Sequence, residues 1–197
     1  MMKQVDFFFD FGSPAAYLAY TQLPRIAAAA GATIHWRPML LGGVFKATGN
    51  ASPVMVAAKG KWMNADLARW AARYGVPLKM PAGFPINTLA LMRGSVGMQM
   101  REPARFGAYV DAVYSAMFGR GENMGDFEIV GRVLGAAGFD AAAFMALTAD
   151  PEVKQGLIAN TDEAVARGAF GAPTMFVGDE MHFGQDRLDF VASALAR

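Results

Sequence analysis

Two short segments hold residue types suited to one kind of chemistry: Ser13-Pro14-Ala15-Ala16 near the beginning and Gly171-Ala172-Pro173-Thr174 near the end. Ser13 follows the apolar run 5–11 and is an N-cap residue type. Pro14 suits the first helical position, where its missing N–H costs no hydrogen bond. The positive end of a helix favours an anion and lowers the pKa of a thiol, which dithiol redox sites use with Cys-x-x-Cys at a helix start. Here Ser13 and Ala16 occupy the two cysteine positions, and the chain contains no cysteine. A thiolate-stabilising place without its own sulfur implies that a bound partner brings the sulfur. A Ser-Pro pair is also a routine cap; the late Ala-Pro-Thr favours the functional role. Pro173 is expected to follow a cis bond near Ser13, presenting the backbone N–H and C=O of Ala172 to a peptide ligand as a short β-bridge.

These segments need elements to bring them together. Residues 5–9 read as a buried strand, followed by a helix from Ser13 to near Gly31 and a second strand over 33–37. Residues 38–53 read as loop, with Gly42-Gly43 and Gly49-Asn50 as breakers. From 54 to 168 the pattern is helical, in segments 54–74, 87–100, 103–118, 127–137, 141–148 and 151–167, with Asp140 and Asp150 as N-caps of the last two. Strands over 174–177 and 181–183 flank the turn Gly178-Asp179-Glu180, and a helix over 186–195 follows. The order β-α-β, helical block, β-β-α is an α/β thioredoxin-like fold interrupted by a large all-helical insertion. It divides the chain into a thioredoxin-like domain (1–53 and 169–197) and an insertion (54–168).

Composition narrows the function classes. The chain has 197 residues, 54% hydrophobic and 18% charged, enough for a substantial core. A formal net charge of +1 gives no electrostatic case for nucleic acid. No window approaches the roughly 20 apolar residues of a membrane span, and the first residues are too acidic and too short in apolar length for a secretory segment. A cytoplasmic location is the expectation. His35 and His182 stand alone on their strands without a second ligand at metal spacing, so no metal is expected.

The thiol-bearing tripeptide glutathione is the candidate partner. Asn50 and Lys59, nine residues apart across a loop-to-helix junction, could hold its peptide and carboxylate groups through charge-assisted contacts. From spacing alone, a solvated helix face shared with Lys61 is the favoured reading of Lys59. In Gln185-Asp186-Arg187, Asp186 is either a dipole-compensating cap or a partner for the α-ammonium of a γ-glutamyl group.

The residues also resemble a known family. Asp10-Phe11-Gly12-Ser13-Pro14 with Tyr17-Leu18, Arg37-Pro38-Met39-Leu40-Leu41-Gly42-Gly43-Val44-Phe45, Gly49-Asn50 with Lys59, and Asn87-Thr88-Leu89-Ala90-Leu91-Met92-Arg93 match it. So do Gly168-Ala169-Phe170-Gly171-Ala172-Pro173-Thr174 and Phe183-Gly184-Gln185-Asp186-Arg187. The pattern resembles the 2-hydroxychromene-2-carboxylate isomerases, relatives of kappa-class glutathione transferases in the DsbA-like branch of thioredoxin folds. The resemblance implies glutathione as cofactor, with Ser13 near its sulfur and Asn50, Lys59, Ala172, Pro173, Gln185 and Asp186 around the rest. It implies a homodimer acting on a small aromatic keto acid in aromatic-hydrocarbon catabolism. The implied reaction interconverts 2-hydroxychromene-2-carboxylate and trans-o-hydroxybenzylidenepyruvate by reversible thiolate addition. Segment 119–126 departs from the family pattern and lies in the insertion, which is expected to cap the second-substrate pocket. A kappa-like transferase that releases a conjugate and a non-catalytic peptide-binding module are the alternatives.

Overall fold

The computed structural model describes residues 3–197. Four strands, β1 (Gln4–Phe9), β2 (Thr33–Pro38), β3 (Thr174–Val177) and β4 (Glu180–Phe183), form one mixed sheet in the order β2-β1-β3-β4. β1 and β2 are parallel, Gln4 opposite Thr33 and Phe9 opposite Pro38, and are joined by helix α1 (Pro14–Ala29). β3 is antiparallel to β1, with Phe7 opposite Met175, and forms a hairpin with β4. Helix α9 (Leu188–Ala196) follows. This is the thioredoxin-like β-α-β and β-β-α arrangement expected from the sequence.

Between the halves lie α3 (Ala57–Tyr74), α4 (Leu89–Arg101), α5 (Phe106–Tyr114), α6 (Phe127–Ala136), α7 (Ala141–Ala149) and α8 (Pro151–Ala166). Asp140 and Asp150 cap α7 and α8, accepting from the N–H groups of Ala143 and Glu152. The expected helix over 103–118 is instead three pieces. A 3-10 turn (Pro103–Arg105) precedes α5, and a π-helical turn (Ser115–Arg120) follows it. The carbonyl of Phe118 in that π turn accepts the Lys79 N–H at 2.7 Å, tying the loop before α4 to the helical block.

Residues 38–53 are not the loop that their glycines suggested: Leu41–Thr48 is a helix, α2. Each interior glycine costs roughly 1 kcal/mol relative to alanine, yet packing reverses the preference. Val44 is fully buried, and a Cβ on Gly43 would sit 3.1 Å from Thr161 of α8, so the small residue permits close approach of the two helices. Gly49, at φ +70°, closes the helix in the left-handed region, where glycine carries no Cβ penalty.

Strand alternation divides the core. Phe7 and Phe9 enter a large cluster with Leu18 and Leu23 of α1, Val191 of α9, and Tyr109, Tyr114 and Phe118 of the helical block. Phe8 faces the other way, among Met39, Val44, Ala164 and Phe176. Each fully buried side chain of this size contributes about 1.5–3 kcal/mol. The helical block therefore shares one core with the sheet. At the β2 edge, the side-chain amides of Gln99 and Asn160 donate to the carbonyls of Trp36 and Pro38 at 2.8 and 3.0 Å. They occupy outward-facing acceptors that would otherwise invite strand addition. Among the described residues no single helix is long and apolar enough to cross a membrane.

Candidate active site

Ser13 is the N-cap of α1, and its Oγ accepts the Ala16 N–H at 3.1 Å. Its backbone carbonyl receives the Tyr17 N–H at 3.1 Å, and its own N–H donates to the Asp10 carbonyl at 3.0 Å. The first turn of α1 carries no acidic residue, so the positive end of the helix is left uncompensated by a side chain of its own. The Ser13 hydroxyl hydrogen donates to the backbone carbonyl of Ala172 at 2.9 Å, across 159 positions of sequence. The peptide between Ala172 and Pro173 is cis, as the sequence led us to expect. Ser13 is 5% exposed, whereas Ala172 is only partly buried. Among the described residues the Ala172 N–H donates to no acceptor.

The Ala172 loop is held from both sides. Thr174 Oγ1 donates to the Gly171 carbonyl at 2.8 Å, and the Gly184 N–H donates to the Pro173 carbonyl at 3.0 Å. A Cβ on Gly171 would lie 2.8 Å from the Phe183 ring, which itself packs at a tilt against Phe170 with centroids 4.5 Å apart. Asn50 reaches the same loop: its Nδ2 donates to the Phe170 carbonyl at 2.8 Å, while its Oδ1 accepts the Ala51 N–H.

Gln185 is buried in a short turn, Gln185–Arg187, that packs against α1, and its carbonyl accepts the Tyr74 hydroxyl at 2.6 Å. Asp186 folds back over Gly184, where a Cβ would be 2.5 Å from its Oδ1, and pairs with Arg187 at 2.6 Å. Lys59 is exposed in the first turn of α3, which carries no acid, and has no ion-pair partner among the described residues. Lys59 and Tyr74 are about 22 Å apart along α3 at 1.5 Å per residue. Ser13, Ala172, Pro173 and Asn50 are thus gathered directly, and Gln185 joins through α1. Asp186 follows Gln185 in the same turn with its carboxylate on Arg187, and among the described residues Lys59 makes no ion pair with that group.

Asp10 is the residue that the sequence reading passed over. It is 1% exposed, and its carboxylate accepts three hydrogen bonds of 2.7 Å each: from the Gly12 N–H, the Leu41 N–H and the Thr88 hydroxyl. Those donors stand at the starts of α1, α2 and α4 respectively. Leu40, at the N-cap of α2, offers no side-chain bond, so Asp10 serves that helix from a distance. Burial pushes the Asp10 carboxyl above the usual range, and the three donors pull against that shift. Its only sequence signal is a carboxylate closing an apolar run three residues before Ser13.

The histidines lie elsewhere. His35 contacts Asp6 at 3.0 Å, and burial holds the His182 imidazole below its ordinary pKa. Among the described residues no His, Asp or Glu cluster could hold a metal. A surface cleft of about 390 Å³, lined by His35, Trp36, Arg37, Gln99 and Asn160 among others, lies beside the capped β2 edge.

Comparison with known proteins identifies the fold and its relatives. A DSBA-like thioredoxin domain model matches residues 4–196. The chain is 37% identical over 197 residues to the 2-hydroxychromene-2-carboxylate isomerase of Sphingobium xenophagum, covering 99% of each. It is 30% identical over 207 residues to a kappa 2 glutathione S-transferase of Caenorhabditis elegans, covering 98% of this chain and 92% of that protein. A solved structure of a 2-hydroxychromene-2-carboxylate isomerase superposes with a TM-score of 0.87 at 35% identity, covering 98% of this chain and 95% of that one.

Proposed function

The chain belongs to the 2-hydroxychromene-2-carboxylate isomerase family of DsbA-like thioredoxin domains and is an isomerase; from that premise we propose that it interconverts 2-hydroxychromene-2-carboxylate and trans-o-hydroxybenzylidenepyruvate with glutathione as cofactor. The observation that carries this reading is the Ser13 hydroxyl at the start of α1, 2.9 Å from the Ala172 carbonyl, in a chain without cysteine.

The donor set fits an anionic thiol peptide. A helix start with no acidic residue in its own first turn and a hydroxyl suit a thiolate, and a free backbone N–H at Ala172 suits a peptide. Asn50 offers an amide at the same loop, and Lys59 an exposed ammonium at a second helix start without acids. Asp186 has the charge for an ammonium group, and Gln185 and Pro173 shape the surface between. When bound, glutathione supplies a thiolate whose reversible addition to a conjugated double bond leaves a single bond free to rotate.

The protein's own residues have narrower tasks. Ser13 and the α1 N-terminus stabilise the charged form of the thiol, because hydrogen bonds to a charged form shift its pKa in that form's favour. Ser13 itself is not the nucleophile: its oxygen accepts the Ala16 N–H, its hydrogen is on a carbonyl, and neither histidine bonds to it. Asn50, Lys59 and Asp186 hold the ends of the peptide. A cytoplasmic location and a homodimer accompany this reading, the dimer supported by the exposed Met55, Val56 and Trp62 around the start of α3.

The test is to mix protein and chromene acid with and without glutathione and to follow the ultraviolet spectrum while analysing products. Isomerisation that needs glutathione and returns it unchanged supports the proposal; S-methylglutathione should bind without supporting turnover. Full activity without thiol would overturn it. The similarity to kappa-class transferases favours one second reading, conjugation of an electrophile, and steady accumulation of a glutathione adduct would select that reading instead.

A further inference from the structure

The Ser13 hydroxyl carries one hydrogen, and the fold already uses it. It lies on the Ala172 carbonyl at 2.9 Å, while the oxygen takes the Ala16 N–H at 3.1 Å. A thiolate has no hydrogen to offer and can only accept. For Ser13 to serve a thiolate, its hydrogen must leave Ala172, and among the described residues no other donor reaches that carbonyl. Abandoning a partly buried acceptor without replacement carries part of the desolvation penalty of an unmade hydrogen bond.

We propose that the hydroxyl is released to the sulfur only when the ligand's own cysteinyl N–H takes over the Ala172 carbonyl, so that the site activates cysteinyl peptides with an intact amide rather than thiols in general. This rests on the glutathione reading above and adds to it a rule of ligand choice. The N–H and sulfur of one cysteine are separated by three bonds, compact enough for a single residue to address two oxygens 2.9 Å apart. No heavy atom of Ser13 has to move. The Ala16 N–H holds the oxygen in place while the hydrogen rotates about the Cβ–Oγ bond, and the thiol proton departs to solvent. Binding and activation are coupled through one exchange of donors on one carbonyl. A thiol lacking that N–H meets a hydroxyl that is still engaged.

The experiment compares glutathione with an analogue methylated on the cysteinyl nitrogen. Affinity is measured by calorimetry, and the thiol pKa at saturation by ultraviolet titration of the thiolate. In the wild type the methylated analogue should show a bound-thiol pKa about one unit above that of glutathione, or roughly tenfold less thiolate at neutral pH. In Ser13→Ala the difference between the ligands should disappear. Equal pKa values for the two ligands in the wild type, or a difference that persists in Ser13→Ala, would overturn the coupling. Failure of glutathione itself to bind, or a bound thiol pKa no lower than in solution, would instead overturn the glutathione reading.

If the methylated analogue cannot saturate the protein, the Ala172 carbonyl carbon shift read by NMR with S-methylglutathione decides. In the wild type one donor replaces another, so the shift should change little. In Ser13→Ala the carbonyl gains a donor it lacked and should move clearly. Equal movement in both proteins means that the hydroxyl is not released, and the proposal fails.

Discussion

The carboxylate of Asp10 accepts the Leu41 N–H at 2.7 Å, so the residue that closes β1 also caps a helix 31 positions later. The same carboxylate holds the Gly12 N–H beside Ser13 and the Thr88 hydroxyl at the start of α4. One buried carboxyl group thereby sets three helix starts relative to one another, and among the described residues it pairs with no cation. Helix N-termini stabilise its charged form because their unpaired N–H groups and dipoles point toward it.

Replacing Asp10 should therefore cost stability well beyond a surface change. Asp10→Ala leaves two N–H groups and a hydroxyl without their acceptor and should destabilise by about 2–4 kcal/mol. Asp10→Asn keeps the shape but turns a donor toward an N–H, at a cost of about 1–3 kcal/mol. Urea unfolding measures both; values near zero would show that the three helix starts do not depend on this carboxylate.

Asp10 and Asp6 should shape acid stability in opposite directions. Burial raises the Asp10 carboxyl above its usual value of 3.8 in the folded protein. The folded state therefore holds the proton longer, and the stability Asp10 gives below that value is lost as pH rises through the folded pKa. For Asp6, burial pushes upward but is outweighed by bonds from Arg167, Gln4 and His35, and the net shift is downward. Its contribution is present above 3.8 and is lost as pH falls through the lowered folded value. Denaturation from pH 3 to 7 of the wild type, Asp10→Asn and Asp6→Asn checks both signs. The wild type should gain on Asp10→Asn as pH falls and lose ground to Asp6→Asn over the acid end.

Much of this was legible in the sequence and some was not. Local chemistry announced itself where one residue type has few uses: Ser13-Pro14 as a helix start, Asp140 and Asp150 as caps, Gly178-Asp179 as a turn, although Glu180 opens β4 instead of belonging to that turn. Helix α2 was hidden because Gly42 and Gly43 signal a break locally, whereas the value of Gly43 lies in its close approach to Thr161, 118 residues further on. Asp10 was hidden for a related reason, since its donors come from Leu41 and Thr88, and no local pattern predicts such distant partners. The Ser13–Ala172 pairing was anticipated from two separated motifs, but the direction of the hydrogen bond was not.

Asn50→Ala should weaken glutathione binding by about tenfold, near 1.4 kcal/mol, with little change in unfolding, because Asn50 is exposed and bonds only the Phe170 carbonyl and the neighbouring Ala51 N–H among the described residues. Lys59→Ala should weaken binding by a similar factor in a salt-dependent way, as expected for an exposed charge. Calorimetry at two ionic strengths distinguishes them; unchanged affinity in both variants would remove these residues from the ligand site.

Ser13→Ala should slow glutathione-dependent isomerisation at neutral pH by roughly 10- to 100-fold, the worth of one hydrogen bond to a charged group. The deficit should shrink at higher pH, where the thiolate forms without help. A pH-rate profile with the same deficit at every pH would mean that Ser13 acts on something other than thiol ionisation.

The central claim is that the start of α1 and Ser13 hold a borrowed thiol as thiolate. Ultraviolet titration of glutathione saturating the wild-type protein tests it most directly. The account predicts a thiol pKa at least about one unit below that of the free peptide, a cysteine thiol near 8.5, and recovery of most of that shift in Ser13→Ala. A bound thiol that titrates as it does in free solution would contradict it.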